Sequence, residues 1–225
     1  MDDKKLASSG THTPPAVPVT VSTPVVPARP EPPKHESLKS ILSTVAILLI
    51  APIIAIFLTA FVFQSYQVDG PSMQTTLHDK DRLIVWKTPR TWARLTGHAY
   101  IPKRGDVVVF TNPNLANFGQ DPNKQLIKRV IGLPGDKVVV QNNVLTVYNA
   151  ASPKGFHPDQ TLPYGQAIVG TNIDGEWTVA KGQLFVCGDN RFDSLDSRIF
   201  GPIDANDVIG KLVVRVLPLN QAMRF

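Results

Sequence analysis

The stretch "KQLIKRVIGLPGD", residues 124–136, decides how this chain is read. A short apolar run closed by a Leu-Pro-Gly-Asp turn reads as a strand and its exit. If residues 126–130 are extended, Leu126, Lys128 and Val130 share one face, while Ile127, Arg129 and Ile131 share the other. Lys128 then lies between two apolar neighbours. On an inward face it would lose hydration, which disfavours the ammonium and lowers the pKa. A neutral lysine is a usable general base. The ordinary alternative is a lysine whose stem lies on the sheet while its head reaches water. The stretch alone leaves both open.

The same pattern recurs on either side. "RLIVWK", "DVVVF", "KVVVQ", "VLTVY", "LFVCG" and "KLVVRVL" are β-branched or apolar runs separated by turn formers such as "RGD", "QNN" and "GDN". No segment after residue 63 shows a helical period over 11 or more residues. The expected fold is therefore mainly β: antiparallel sheets in a barrel-like or sandwich body built from residues 64–140 and 182–225. The stretch 149–181 is loose and rich in Gly, Pro, Asn and Asp, and residues 141–181 read as a small β-rich insertion.

Upstream the composition changes twice. Residues 1–37 hold eight of the 20 prolines and few groups able to build a core, so they are expected to be a disordered tail. "ILSTVAILLIAPIIAIFLTAFVF", Ile41–Phe63, carries no charge over 23 residues. At about 1.5 Å per residue it is long enough to cross a hydrocarbon core of about 30 Å. Residues 38–63 thus read as a single transmembrane helix, with Pro52 tolerated in lipid. Arg29, Lys34 and Lys39 precede the span, whereas the first basic residue after Phe63 is Lys80. The positive-inside rule places the tail in the cytoplasm and the body on the outer face of the plasma membrane.

Net charge is +5 with a pI near 9.4, a balance suited to an anionic membrane surface. No dense basic run interleaved with aromatics points to nucleic acid. Cys187 is the sole cysteine, which rules out an intramolecular disulfide and a CxxC motif. The five histidines show no metal-ligand spacing, and no cofactor fingerprint, Walker loop or GxSxG elbow is present. Neither a metal nor a cofactor is expected.

Two more stretches invite chemistry. "VDGPSMQTTL", residues 68–77, sets Ser72 after Gly70-Pro71, nine residues beyond Phe63. By itself this is also an ordinary turn. "GDNRFDSLDSRIFG", residues 188–201, is dense in side chains that ionise or hydrogen-bond and directly follows an apolar run. Such a loop supports a site or is merely solvated. It fails the EF-hand pattern, because Arg191 and Phe200 occupy ligand positions.

Taken in order after an N-terminal span, "GPSMQTTL", "RGDVVVF", "KRVIGLPGD" and "GDNRFDSLDSR" resemble the signature segments of type I signal peptidases. These are membrane-bound serine proteases that remove signal peptides from exported preproteins. The resemblance covers roughly residues 41–217. It implies a Ser-Lys dyad, with Ser72 as nucleophile and Lys128 as general base acting through an acyl-enzyme. It further implies that Ser194 orients the lysine, that Asp196 and Arg198 pair to hold the loop, and that Asp189 is a structural acid. Phe110, Leu126, Val186 and Leu195 match the apolar shell around the lysine. Val68, Met73, Leu77, Leu126 and Ile127 match substrate-binding positions, for an extended substrate with small residues at P1 and P3, the Ala-x-Ala pattern. The substrate would add backbone hydrogen bonds to segments around residues 67–70 and 125–127. The implied partners are preproteins at the bilayer surface.

Two departures stand out. Some members carry a serine two positions before the nucleophile as a second oxyanion donor, and here that residue is Gly70. Thr75 replaces the common proline of "SMxPTL".

Two other readings compete. A self-cleaving repressor-type peptidase shares the Ser-Lys dyad, but the apolar 23-mer and the lack of a DNA-binding helix pair count against it. A membrane-anchored β-domain that assembles partners without catalysis would tolerate Ser72→Ala and Lys128→Ala.

Overall fold

Residues 34–161 and 173–225 are described in the computed structural model. The expected tail up to residue 33 and residues 162–172 of the insertion lie outside them. Helix α1 (Lys34–Phe57) contains Pro52 and continues through a π turn (Leu58–Val62). It opens four residues before the boundary read from the sequence. The apolar stretch Leu38–Val62 is long enough to cross a membrane, and no part of its apolar window is buried by protein. A core helix would be covered; this one is bare.

Strand β1 (Phe63–Gln67) starts directly at the end of the π turn. There follow β2 (Arg82–Trp86), α2 (Thr88–Leu95), β3 (Val107–Thr111) and β4 (Gln125–Gly132). Next come β5 (Lys137–Gln141), β6 (Val144–Asn149), β7 (Ser152–Phe156), α3 (Pro158–Thr161) and β8 (Gly175–Thr178). The chain then runs through β9 (Gln183–Cys187), α4 (Ser197–Phe200), β10 (Ile203–Asp204), β11 (Val208–Leu217) and β12 (Met223–Arg224).

Among the described residues the strands form two antiparallel sheets. The larger has the order β1-β2-β11-β3-β4-β9-β10, with β12 added to β11. The smaller has the order β7-β6-β5-β8. Each apolar run picked out in the sequence is a strand. β1, β7, β8, β10 and β12 were not picked out: they are short or polar, and partners across the sheet decide their conformation. Helix α2 also escaped notice, since its eight residues are fewer than a helical period needs to show.

Long β11 curls the large sheet. Lys211–Leu217 pairs with β2 on one side, and on the other Val208–Lys211 pairs with β3. Register shifts interrupt both ladders, and such bulges bend a strand and increase its twist.

The β3–β4 register fixes two faces. Lys128 lies opposite Val108, and Leu126 opposite Phe110. Val108 and Phe110 pack with Val130, Leu184, Val186, Phe200 and Val208, and Leu126 and Leu195 pack against this cluster. Val107, from the other face of β3, packs with Val68, Met73, Leu77, Leu83 and Leu212, joined by Ile127. The small sheet contributes Val138, Val140, Leu145 and Val147 to a third cluster with Ile131, Phe185 and Cys187 of the large one. Each such buried side chain contributes about 1.5–3 kcal/mol, so these clusters hold the sheet while its polar residues serve other ends.

Candidate active site

The loop between β1 and β2 carries Ser72. Val68 and Asp81 close its base, with Val68 N–H donating to the Asp81 carbonyl at 2.9 Å and Lys80 N–H to the Val68 carbonyl at 3.0 Å. Gly70 adopts φ +92°, a conformation in which a side chain is strained, and its N–H donates to Asp79 Oδ1 at 3.1 Å. A serine here would meet that strain, which accounts for glycine at this position. Beyond Ser72 the chain coils tightly, and Leu77 N–H donates to the Met73 carbonyl at 2.8 Å.

The antiparallel ladder brings β4 alongside this loop. Lys128 Nζ lies 2.7 Å from Ser72 Oγ and donates to the Ile127 carbonyl at 3.0 Å. Fifty-six positions of sequence separation are closed by the sheet. Lys128 is 3% exposed. Burial pushes its pKa from 10.5 down to about 8, although the carboxylates of Asp196 and Asp189 pull the other way. The amine is thus held much closer to neutrality than a solvated lysine.

The loop after β9 supports both residues. Asn190 N–H donates to the Ser72 carbonyl at 3.0 Å, and Asn190 Nδ2 to the Pro71 carbonyl at 3.3 Å. Asp196 caps α4 by accepting from Arg198 N–H, takes the Arg198 Nε at 2.8 Å and Nη2 at 2.7 Å, and accepts from Gly188 N–H at 2.9 Å. The side chains of Asp196 and Arg198 are fully excluded from solvent. Asp189 accepts from Arg129 Nε at 2.8 Å and Nη2 at 2.6 Å, and from the Thr76 hydroxyl at 2.5 Å. This ties β4, the Ser72 loop and the β9 loop together from behind the dyad. Arg215 adds a further tie, donating to the Thr76 carbonyl at 3.0 Å and to Asp81 Oδ2 at 3.1 Å.

Ser194 is placed differently from what the resemblance implies. Its hydroxyl is buried and has no hydrogen-bond partner among the described residues. It packs on Gly188, whereas Lys128 takes the Ile127 carbonyl and Ser72.

A cleft of about 460 Å³ opens over the dyad, bounded by residues 66–72 on one side and 124–128 on the other. Val68, Leu126 and Ile127 line it, together with Leu83 and Leu195. Met73 and Leu77 do not reach it: both are fully buried in the cluster behind Val68 and Leu83. Among the described residues, two strand edges face no partner here. β1 ends the sheet, and β9 pairs with β4 only from Arg129 onward, leaving Gln125–Lys128 bonded to β3 alone.

Sequence reasoning did not find Gly188, Asn190, Thr76 or Arg129. One signal was available for Arg129. An arginine between Ile127 and Ile131 on a buried strand face needs a carboxylate, and the polar loop offered several. No group of His, Cys, Asp and Glu able to hold a metal occurs among the described residues.

Comparison with known proteins bears on the whole of this arrangement. The family described as signal peptidase, peptidase S26, matches residues 41–217. Signal peptidase I of Bacillus licheniformis is 34% identical over 186 residues, covering 81% of this chain and 91% of that protein. Signal peptidase I of Bacillus caldolyticus is 35% identical over 173 residues, covering 73% and 85%. Signal peptidase I of Leptolyngbya laminosa is 30% identical over 209 residues, covering 91% and 92%. The crystal structure of a signal peptidase I from Enterococcus faecalis V583 is 26% identical, with a TM-score of 0.36 over 50% of this chain and 97% of that one. The chain belongs to the signal peptidase family of serine endopeptidases, peptidase S26.

Proposed function

We propose that this chain removes N-terminal signal peptides from exported preproteins at the plasma membrane, cutting after small residues with Ser72 as nucleophile and Lys128 as general base. The observation that carries the reading is the 2.7 Å approach of a buried lysine amine to a cleft-lining serine hydroxyl. At about pH 7 a group of pKa about 8 is neutral in roughly one molecule in ten, against about one in three thousand for an unperturbed lysine.

In the reactive form one amine N–H stays on the Ile127 carbonyl and the lone pair faces Ser72 Oγ. Lys128 takes the hydroxyl proton as Oγ bonds to the scissile carbonyl carbon, giving a tetrahedral intermediate. The C–N bond then breaks, and Lys128 returns the proton to the leaving amine. Water attacks the resulting ester with Lys128 again accepting a proton, and Ser72 leaves the acyl group with that proton restored. The Ser72 N–H serves as oxyanion donor, a contribution of about 3 kcal/mol for one well-placed donor. Gly70 has no side chain to add, and its N–H is engaged by Asp79.

The backbone of Gln67 and Asp69, between the already bonded groups of Val68 and Gly70, and the open edge at residues 125–127 suit an extended peptide that adds backbone hydrogen bonds on both sides. Met73 and Leu77 fill the space behind Val68 and Leu83, so a long P1 side chain has no depth to occupy. That favours Ala at P1 and P3. The bare apolar helix serves as a single-pass anchor, with the tail inside and residues 64–225 outside. Within that part, residues 64–140 and 182–225 form the catalytic domain and residues 141–181 its insertion.

The test is cleavage of an Ala-x-Ala preprotein in detergent by wild type, Ser72→Ala and Lys128→Ala. Cleavage after the P1 alanine by wild type, and none by two folded variants, upholds the dyad. Undiminished cleavage by both variants overturns it.

A further inference from the structure

A second cavity, of about 470 Å³, lies where the apolar segment ends. Ala60 and Phe61 of that segment form part of its wall, and Tyr66 borders both this cavity and the catalytic cleft. Part of the remaining wall is cationic: Lys87, Arg90 and Arg94, from α2 and the residue before it, stand beside the neutral Gln64, Thr91, Leu95, Gln125 and Ile209. This corner is pinned to the segment. Lys87 N–H donates to the Val62 carbonyl at 2.8 Å, Lys87 Nζ to the Thr59 carbonyl at 3.0 Å, and the Thr91 hydroxyl to the Phe61 carbonyl at 3.3 Å.

Counter-charge for the three cations is incomplete. Among the described residues none of them forms an ion pair. Arg90 Nε and the Tyr66 hydroxyl are buried with no hydrogen-bond partner there. Burial, then repulsion from a neighbouring cation (Arg90 for Lys87, Arg94 for Arg90), pulls Lys87 and Arg90 below their ordinary values, and Asp207 offsets Arg90 only in part. Buried donors and crowded like charges are retained at a cost in stability, and an anion in the cavity would remove that cost.

We propose that this cavity seats the phosphate of an anionic phospholipid head group, drawn from the leaflet in which the apolar segment ends. The inference rests on that segment spanning the bilayer, and it is independent of the chemistry at Ser72. The phosphate level of a bilayer lies where a span leaves the hydrocarbon, which is the depth of Ala60 and Phe61. Acyl chains then run along the bare helix. Trp92 and Leu95 of α2 are 67% and 78% exposed, an aromatic and an aliphatic side chain suited to the same interface. Free phosphate shares the head-group chemistry but has no use for the apolar wall.

The experiment is native mass spectrometry of the full chain in detergent, offered phosphatidylglycerol or phosphatidylcholine. Wild type and Ser72→Ala should retain one phosphatidylglycerol in preference to phosphatidylcholine. Arg94→Gln should lower that preference about fivefold and Lys87→Gln/Arg94→Gln further still, at about 1 kcal/mol per basic residue. Arg94→Lys should keep it, and millimolar inorganic phosphate should not displace the lipid. Arg94 is exposed, and an unchanged thermal midpoint shows that the variants are folded. Equal retention of the two lipids, indifference to loss of Lys87 and Arg94, or displacement by phosphate overturns the proposal.

Discussion

Gly188 presses so closely on Ser194 that a single added Cβ would collide with the Ser194 hydroxyl and with the carbonyl of Ser72. The loop after β9 therefore sets the position of Ser72 through a contact that only hydrogen atoms fit. Gly188→Ala should displace Ser72 from Lys128 and lower kcat/KM by about a hundredfold in a folded protein, the usual effect of misplacing a reacting group by about 1 Å. Kinetics on an Ala-x-Ala peptide, with circular dichroism to check folding, tests this. A variant with unaltered kcat/KM would remove Gly188 from the positioning apparatus.

The pH dependence follows from Lys128. In the proposed mechanism only the neutral amine accepts the Ser72 proton, and its pKa is lowered to about 8. The rate constant kcat/KM should rise with pH through an inflection near 8 and level off above it, because this parameter reports the free enzyme. An inflection near 10.5 would mean that Lys128 is solvated in the working enzyme.

The same burial carries a stability consequence of definite sign. Lys128 has a folded-state pKa below its ordinary 10.5, so between pH 8 and 10.5 the unfolded chain binds the proton that the folded chain refuses. Folding is penalised fully below pH 8, and the penalty vanishes as pH rises through 10.5. Lys128→Met should therefore raise stability at pH 7 by up to about 3 kcal/mol while abolishing activity. Denaturant unfolding at pH 7 and pH 10.5 checks it: the gain should shrink at the higher pH.

Arg198 and Asp196 form a fully buried pair that also takes the Gly188 N–H. Arg198→Met leaves a buried carboxylate without its cation and should cost about 3–5 kcal/mol. Activity should fall with it, since Gly188 and Ser72 lose their support. A thermal midpoint within a degree or two of wild type would contradict this.

The sheet was legible because its strands are written in β-branched runs between turn formers, and "LIKRVIG" put Lys128 and Arg129 on opposite faces by simple alternation. The meeting of Lys128 with Ser72 was not, since strand order is a property of pairing across the whole sheet. The resemblance supplied that link. It also assigned Ser194 to the lysine, where the structure has the Ile127 carbonyl, and gave Met73 and Leu77 to substrate, where they form the wall behind the cleft. Gly188 and Asn190 act through backbone contacts, which leave no compositional mark. Helix α2 is too short to show a period, and its Trp92 and Leu95 face away from the core.

Phe63 begins the sheet on the residue after the π turn, with no slack between them. On the proposed reading of the apolar segment as a membrane anchor, only the nine residues from Phe63 to Ser72 set how far the nucleophile can stand from the bilayer edge. The cut would then be measured from the end of the substrate's own apolar stretch as well as chosen by its side chains. Glycines inserted between Val62 and Phe63 should lengthen that reach, broadening the range of signal-peptide lengths accepted while leaving the dyad intact.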